Sequence, residues 1–273
     1  MNKNVILITG ASSGIGKITA MQLIKEGHIV YGAARRIEKM NDLIEEGGHA
    51  IQMDVTDETQ MEQAVNQIIN EQGKIDVLVN NAGYAIYGAV EDTTIADARR
   101  QFEVNIFGLA RMTQLVLPHM RAAKSGKIIN ISSMGGKMYT PLGAWYHGTK
   151  HALEGWSDCL RLELKQFGID VVIIEPGIIA TEFGDVMTKP MLERSGKGNY
   201  SKLANAVAAS TKESYEQGGG SSPNVIANVI SKAVKSKKPK TRYVAGKMAK
   251  PLMFIRKYFG DRIFDKALMS QVK

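Results

Sequence analysis

The alternation of short β-branched runs with longer amphipathic ones constrains this chain more than any other feature. VILIT (5–9), IVYGAA (29–34), HAIQMDV (49–55), DVLVN (76–80), KIINIS (127–132) and DVVIIEP (170–176) are short and almost unbroken apolar runs. Helical patterns separate them, over 14–26, 37–46, 57–72 behind a Thr56–Asp57 cap, 97–123 with Pro118 late in it, and 142–167. Near-continuous apolar strands are buried on both faces, and strands joined through helices run parallel with right-handed crossovers. The pattern predicts an α/β fold, a doubly wound parallel sheet with helices on both faces. RYVAG (242–246) would be a seventh strand.

The 273 residues fit one large domain, 1–273. Residues 182–223 break the alternation with helical stretches, two Gly-rich ends and no strand. An insertion of this length is read as a substrate lid, at about 182–222. Ser222 and Pro223 then open another helix as cap and first-turn residue. A basic extension at about 247–273 closes the chain.

Several functions are excluded or demoted. The one cysteine, Cys159, precludes an internal disulfide or a Cys-based zinc site, and no metal is expected. No run of about 18 apolar residues exists, and the four-residue apolar run of MNKNVILITG is too short for a signal-peptide core. The expected location is the cytoplasm. The net charge of +8 is uneven: 13 Lys/Arg face 2 Asp/Glu from Lys232 to Lys273, and the remainder carries a net −3. A basic tail can meet nucleic acid, anionic lipid or a phosphate-bearing ligand, but a solvated face is the simpler reading. Nucleic acid is the least favoured partner, and peripheral membrane contact stays open.

TGASSGIG (9–16) falls between the first strand and the first helix. Glycines at 10, 14 and 16 let the chain turn tightly and let a phosphate approach the backbone. The helix N-terminus then offers free N–H groups and a partial positive charge. Strand-to-helix context separates this from a plain tight turn. At the end of the second strand, Ala33-Ala34-Arg35-Arg36 has no carboxylate to accept from a ribose 2′-hydroxyl. Two guanidiniums stand ready for a 2′-phosphate instead, which favours NADP or NADPH over NAD.

AWYHGTKHALEGW (144–156) crowds Tyr146, His147, Lys150 and His151 together. On a helix Tyr146 and Lys150 share a face, whereas His147 lies about 100° away. An ammonium beside a tyrosine is expected to lower its pKa toward the range where it trades protons with an alcohol or ketone. Ser132 and Ser133 end a strand at the carboxyl edge, where doubly wound folds bind ligands.

In order, TGASSGIG, Asp54-Val55, NNAG (80–83), Asn105 in VNIFG, Ser133, YHGTK (146–150) and PGIIAT (176–181) resemble the short-chain dehydrogenase/reductase family of the single-domain, Rossmann-fold kind. The resemblance covers residues 4–181, and the tail matches loosely. It implies Tyr146 as acid/base, Lys150 as the residue that lowers its pKa and binds the nicotinamide ribose, Ser133 as the group orienting the substrate carbonyl, and Asn105 as the holder of a relay water. It implies a dinucleotide on Gly10, Ser12, Ser13, Gly14, Ile15 and Gly16, with adenine on Asp54 and Val55 and ribose beside Asn80, Ala82 and Gly83. The nicotinamide carboxamide would border Pro176, Gly177, Ile179 and Thr181. His147-Gly148-Thr149 departs from the small residues and serine common there, though Thr149 keeps a hydroxyl. A homodimer or homotetramer is implied, formed through the two longest helices.

Candidates for the substrate wall are Tyr84, Tyr87, Met134, Met138, Tyr139, Leu142, Phe183, Met187 and Met191. They suit a lipophilic alcohol or carbonyl compound. The layout resembles the hydroxysteroid and retinol dehydrogenase branch, an analogy that does not fix substrate. The tail is read first as a cover over the pocket. The rival functions are a noncatalytic NADP-binding sensor and a membrane or nucleic-acid surface module acting through the tail.

Overall fold

The computed structural model describes residues 3–216 and 219–272. Expectations touching 1, 2, 217, 218 and 273, at the start of the chain, the end of the lid and the last residue of the tail, lie outside these. Seven parallel strands form one sheet: β1 (Val5–Thr9), β2 (Ile29–Ala34), β3 (His49–Gln52), β4 (Val77–Asn80), β5 (Gly126–Ile131), β6 (Ile169–Pro176) and β7 (Arg242–Ala245). Their order is β3-β2-β1-β4-β5-β6-β7. The order reverses between β1 and β4, and this switch point opens a crevice at the carboxyl ends of the strands.

The period-two geometry of a strand sorts its side chains between two cores. Leu7, Leu78, Ile128 and Val171 point to one face and pack with Met61, Val65 and Ile68 of α3 (Glu58–Gln72), Met112 and Val116 of α5 (Leu109–Ala122) and Leu160 of α6 (Ala144–Leu164). Ile6, Ile8, Val79, Ile129 and Val172 point to the other face. There they meet Leu23 of α1 (Gly14–Lys25), Leu43 of α2 (Asn41–Glu45) and Ile226 and Ile230 of α9 (Asn224–Lys235). Each buried aliphatic side chain contributes about 2 kcal/mol, so both helical layers are held by burial.

The predicted elements are present, with shifted ends. β3 stops at Gln52, three residues short of the expected run. Asp57 caps α3 by accepting from the Gln60 N–H at 3.0 Å, and Gly73 ends it in a left-handed conformation. The helix expected over 97–123 is α4 (Ile95–Phe102), a π-helical turn (Glu103–Gly108) and α5. A Cβ at Gly108 would collide with the Val55 carbonyl, so glycine lets this helix close onto the loop after β3. Ser222 Oγ accepts from the Asn224 N–H at 3.3 Å, at the expected start of α9. Residues 182–222 hold α7 (Phe183–Ser195) and α8 (Ser201–Glu216). The chain closes with α10 (Ala249–Met269), which is broken by a non-helical Gly260.

Candidate active site

The glycine loop is shaped by its neighbours as well as by its own sequence. Gly10 takes a φ of +68° and Gly14 of +54°, both in the left-handed region. A Cβ at Gly16 would strike the Gly10 carbonyl and the Asn81 amide. Asn81 braces the turn, its Nδ2 donating to the Thr9 carbonyl at 3.0 Å and the Gly10 carbonyl at 3.1 Å. The main-chain N–H groups of Asn81 and Ala82 both donate to Thr9 Oγ1. Ser13 stands at the head of α1 in extended conformation and makes no side-chain cap, so the first N–H groups of the helix stay available to an anion. Beside them runs a crevice of about 670 Å³ that passes Ser12, Ser13 and Gly14 and reaches Thr181.

The other cofactor candidates divide. Arg35 and Arg36 are exposed at the end of β2 and have no ion-pair partner among the described residues. Pro176, Gly177, Ile179 and Thr181 lie at the end of β6, and this segment is clamped from two sides. Ile178 N–H donates to the Lys247 carbonyl at 2.9 Å and Ala180 N–H to the Ser221 carbonyl at 2.9 Å. Val55 is buried. Asp54 spends one carboxylate oxygen on the N–H and hydroxyl of Thr56, at 2.9 and 2.8 Å. The Asn80 side chain does not line the crevice. It is buried between strands and helix, donating to Asn130 Oδ1 at 2.9 Å and Thr113 Oγ1 at 3.1 Å. Ala82 lies against Gly10, and Gly83 lies against the Asn105 carboxamide.

The helix α6 carries Tyr146 and Lys150 on one face, both buried. Lys150 Nζ donates to the Ile131 carbonyl at 2.8 Å and sits 6.0 Å from the Tyr146 ring centroid. Burial lowers the Lys150 ammonium to about 8, against the opposing pull of Glu154. Burial also raises the Tyr146 phenol, and the Ser133 hydroxyl pulls it partly back. The phenol is thus raised, not lowered as expected, because it lies in an apolar compartment where loss of solvent is the larger effect.

Ser133 caps a short 3₁₀ turn, Met134–Gly136, accepting from the Gly135 N–H at 3.0 Å. Asn105 lies buried in the π-helical turn. Its carboxamide donates to the Tyr84 carbonyl at 3.0 Å and to Thr149 Oγ1 at 3.1 Å, and accepts from the Tyr84 N–H at 3.1 Å. Thr149 Oγ1 donates in turn to the Tyr146 carbonyl at 2.8 Å. Both N–H groups of Asn105 are committed, so one lone pair of its side chain is left for a water.

The substrate candidates fall into two clusters. Leu142, Phe183, Met187 and Met191 pack with Tyr146, Tyr87 and Val207 beneath α7 and α8. The Tyr146 ring centroid is 5.8 Å from that of Phe183 and 6.0 Å from that of Tyr87. Met134, Met138 and Tyr139 instead pack against Leu252, Phe264 and Leu268 of α10. Tyr84 belongs to neither cluster. It is half-buried, and burial raises its phenol.

Two features were not anticipated. Tyr215 of α8 packs over Gly184 and interacts electrostatically with the Tyr146 phenol. Its spacing from Ala204, Ala208 and Thr211 puts it on the inward stripe of α8, so helical periodicity carried the signal. The second is a charge network beside Lys150, built on the buried carboxylates of Glu154 and Glu175. Arg242 reaches Glu154 at 3.1 Å, Asp158 at 2.6 Å and Glu175 at 3.6 Å, and Lys137 reaches Glu154 at 3.0 Å. Burial, then the Glu154 carboxylate, push Glu175 up.

The model of the short chain dehydrogenase family matches residues 4–191. A 3-ketodihydrosphingosine reductase of Bacteroides thetaiotaomicron is 41% identical over 98% of this chain and 97% of its own. An NADPH-dependent 3-dehydrocapnine reductase of Ornithobacterium rhinotracheale is 35% identical over 98% of this chain and 96% of its own. The crystal structure of a short-chain dehydrogenase from Streptomyces avermitilis superposes with a TM-score of 0.79 at 34% identity, covering 93% of this chain and 91% of that one. Nothing among these comparisons singles out the hydroxysteroid and retinol dehydrogenase branch.

Proposed function

The chain belongs to the short-chain dehydrogenase family and is an oxidoreductase, and from that premise we propose that it is an NADPH-dependent reductase of a long-chain ketone. The observation that carries the reading is the Tyr146 phenol, set beside Ser133 and Lys150 inside an apolar compartment roofed by α7 and α8. A phenol so placed can give a proton to a carbonyl oxygen or take one from an alcohol, and the likeness to two proteins named as reductases favours reduction. The full-length likeness to a 3-ketodihydrosphingosine reductase and to an NADPH-dependent 3-dehydrocapnine reductase supports the substrate class and the cofactor. The whole chain is read as one catalytic unit, with α7 and α8 as the lid.

The residues present fit a dinucleotide. The left-handed Gly10 and Gly14, the space kept by the absent Cβ of Gly16 and the uncapped head of α1 form a cradle for a pyrophosphate. Arg35 and Arg36 would pair with a 2′-phosphate, and Thr181 and Ile179 would border the nicotinamide. Bound there, the reduced nicotinamide supplies a hydride. Ser133 Oγ hydrogen-bonds to the ketone oxygen and fixes its direction. Tyr146 Oη gives its proton to that oxygen as charge develops on it. The Lys150 ammonium stabilises the phenolate left behind. Asn105 and Thr149 hold the backbone of Tyr146 to the loop at Tyr84, so the phenol keeps its place.

The test is NADPH oxidation at 340 nm with 3-ketodihydrosphingosine in mixed micelles, against a panel of short ketones and sugars, using Tyr146→Phe as control. Turnover of the long-chain ketone, lost in the variant, is expected. Tight NADPH binding without turnover across the panel would instead favour the noncatalytic sensor.

A further inference from the structure

We propose that α10 docks the protein onto the surface of an anionic phospholipid bilayer, through an aromatic patch flanked by cations that lack carboxylate partners, on the outer face of the helix that packs against the segment after Ser133. The helix has two dissimilar faces. Leu252, Phe264 and Leu268 are buried against Met134, Met138 and Tyr139, so the inner face is fixed to the segment that leads from Ser133 into α6. On the outer face Phe254, Tyr258, Phe259 and Ile263 are all between 51% and 62% exposed. Three of them are contiguous, with the Phe254 ring centroid 4.8 Å from Tyr258 and 6.1 Å from Phe259. Gly260, with φ +72° and ψ 179°, breaks the helix in the middle of the patch. A contiguous exposed aromatic surface of this kind marks an interaction site.

Charge identifies the occupant. The two acids of α10 are already engaged: Asp261 pairs with Arg256 at 2.6 Å, and Asp265 accepts from the Tyr139 hydroxyl at 2.8 Å. Lys250, Lys257, Arg262 and Lys266 are exposed and have no carboxylate partner among the described residues. Aromatic side chains flanked by long cations match the interface of a bilayer, where rings sit at headgroup level and cations meet lipid phosphates. A twofold contact with a second copy would gather the same excess of cations from both copies into one interface. No helix among the described residues is long and apolar enough to span a membrane, so the contact lies on the surface. It would bring the site wall close to a reservoir of lipid-soluble ligand. The docking does not depend on the reductase reading, since it is measured as binding.

The experiment is flotation of the full chain with vesicles of pure phosphatidylcholine and of an equal mixture with phosphatidylglycerol, at low and high salt. Binding to the anionic vesicles alone, weakened by salt, is expected. The triple variant Phe254→Ser/Phe259→Ser/Ile263→Ser should reduce it about tenfold while leaving the thermal midpoint and the NADPH affinity unchanged. Lys257→Glu/Arg262→Glu, which keeps the aromatic patch, should reduce it as well and guards against misfolding of the first variant. Equal flotation with neutral vesicles, or equal flotation of wild type and both variants, overturns the proposal. So does a dimer in sedimentation that the aromatic variant converts to monomer without any vesicle binding, which would make the patch a subunit contact. Vesicle binding without turnover of any ketone would uphold docking and sink the reductase reading.

Discussion

The main-chain N–H of Thr140 donates to His147 Nε2 at 3.1 Å, and that bond leaves the imidazole one tautomer. With Nε2 an acceptor, the proton sits on Nδ1 and is donated to the Gly135 carbonyl at 3.0 Å. Both nitrogens are spent, so the residue that looks most like a general base in AWYHGTKHALEGW has no capacity for the task. It acts as a strut for the turn that presents Ser133. Burial lowers this imidazole to about 4.

That lowering sets a pH signature. Between pH 6.5 and about 4 the unfolded chain binds a proton here that the folded chain refuses. The stability His147 confers is therefore complete above pH 6.5 and is lost as pH falls through about 4, by about 3 kcal/mol in full. Urea unfolding of wild type and His147→Asn across this window should show a difference that shrinks toward the acid end. Parallel curves would refute the assignment of His147 as a buried neutral strut.

Tyr146→Phe removes one hydroxyl and keeps the ring contacts with Phe183 and Tyr87. The fold and dinucleotide affinity should hold, and kcat/KM for ketone reduction should fall by about 10²–10⁴. Single-turnover absorbance at 340 nm measures it. A loss below tenfold would remove Tyr146 from the proton step.

Lys150 is expected to cost stability in return for chemistry. Its ammonium is buried and lowered from 10.5 to about 8. Between those values the unfolded chain holds the proton and the folded chain releases it, so this group's penalty is full below pH 8 and fades as pH rises toward 10.5. Lys150→Met should unfold at higher temperature at pH 7, by an amount equivalent to at most about 3 kcal/mol. The gain should narrow by pH 10, and reduction should be lost. A variant less stable than wild type at pH 7 would show that the bond to the Ile131 carbonyl outweighs desolvation.

The strands, their order of appearance and the Tyr146–Lys150 face were legible in the sequence because they rest on local periodicity. What escaped rests on contacts between distant residues. Nothing local announces that Arg242 on β7 reaches Glu154, 88 residues earlier, or that Asn80 turns inward to Asn130. Lys150 was expected to act on Tyr146 through charge alone, because a sequence carries spacing and not burial. The split of the methionines and Tyr139 between lid and α10 was hidden for the same reason: each apolar residue fits either wall.

Cofactor choice is the remaining prediction, and it turns on the end of β2. Arg35 and Arg36 are exposed there, with no carboxylate among the described residues paired to them, and β2 ends in Ala33 and Ala34 without an acid. A charge-assisted hydrogen bond from each guanidinium to a 2′-phosphate is worth about 1.5–3 kcal/mol, or roughly ten- to hundredfold in affinity. Arg35→Ala/Arg36→Ala should weaken NADPH by at least that factor and leave NADH nearly unchanged, since NADH has no phosphate at that oxygen. Adding Ala34→Asp supplies an acceptor for a 2′-hydroxyl and should raise NADH affinity above NADPH. Quenching of intrinsic fluorescence by each dinucleotide measures all six constants. A wild-type chain that already prefers NADH would leave the two arginines without this role, and the cofactor would then be chosen by groups elsewhere along the crevice.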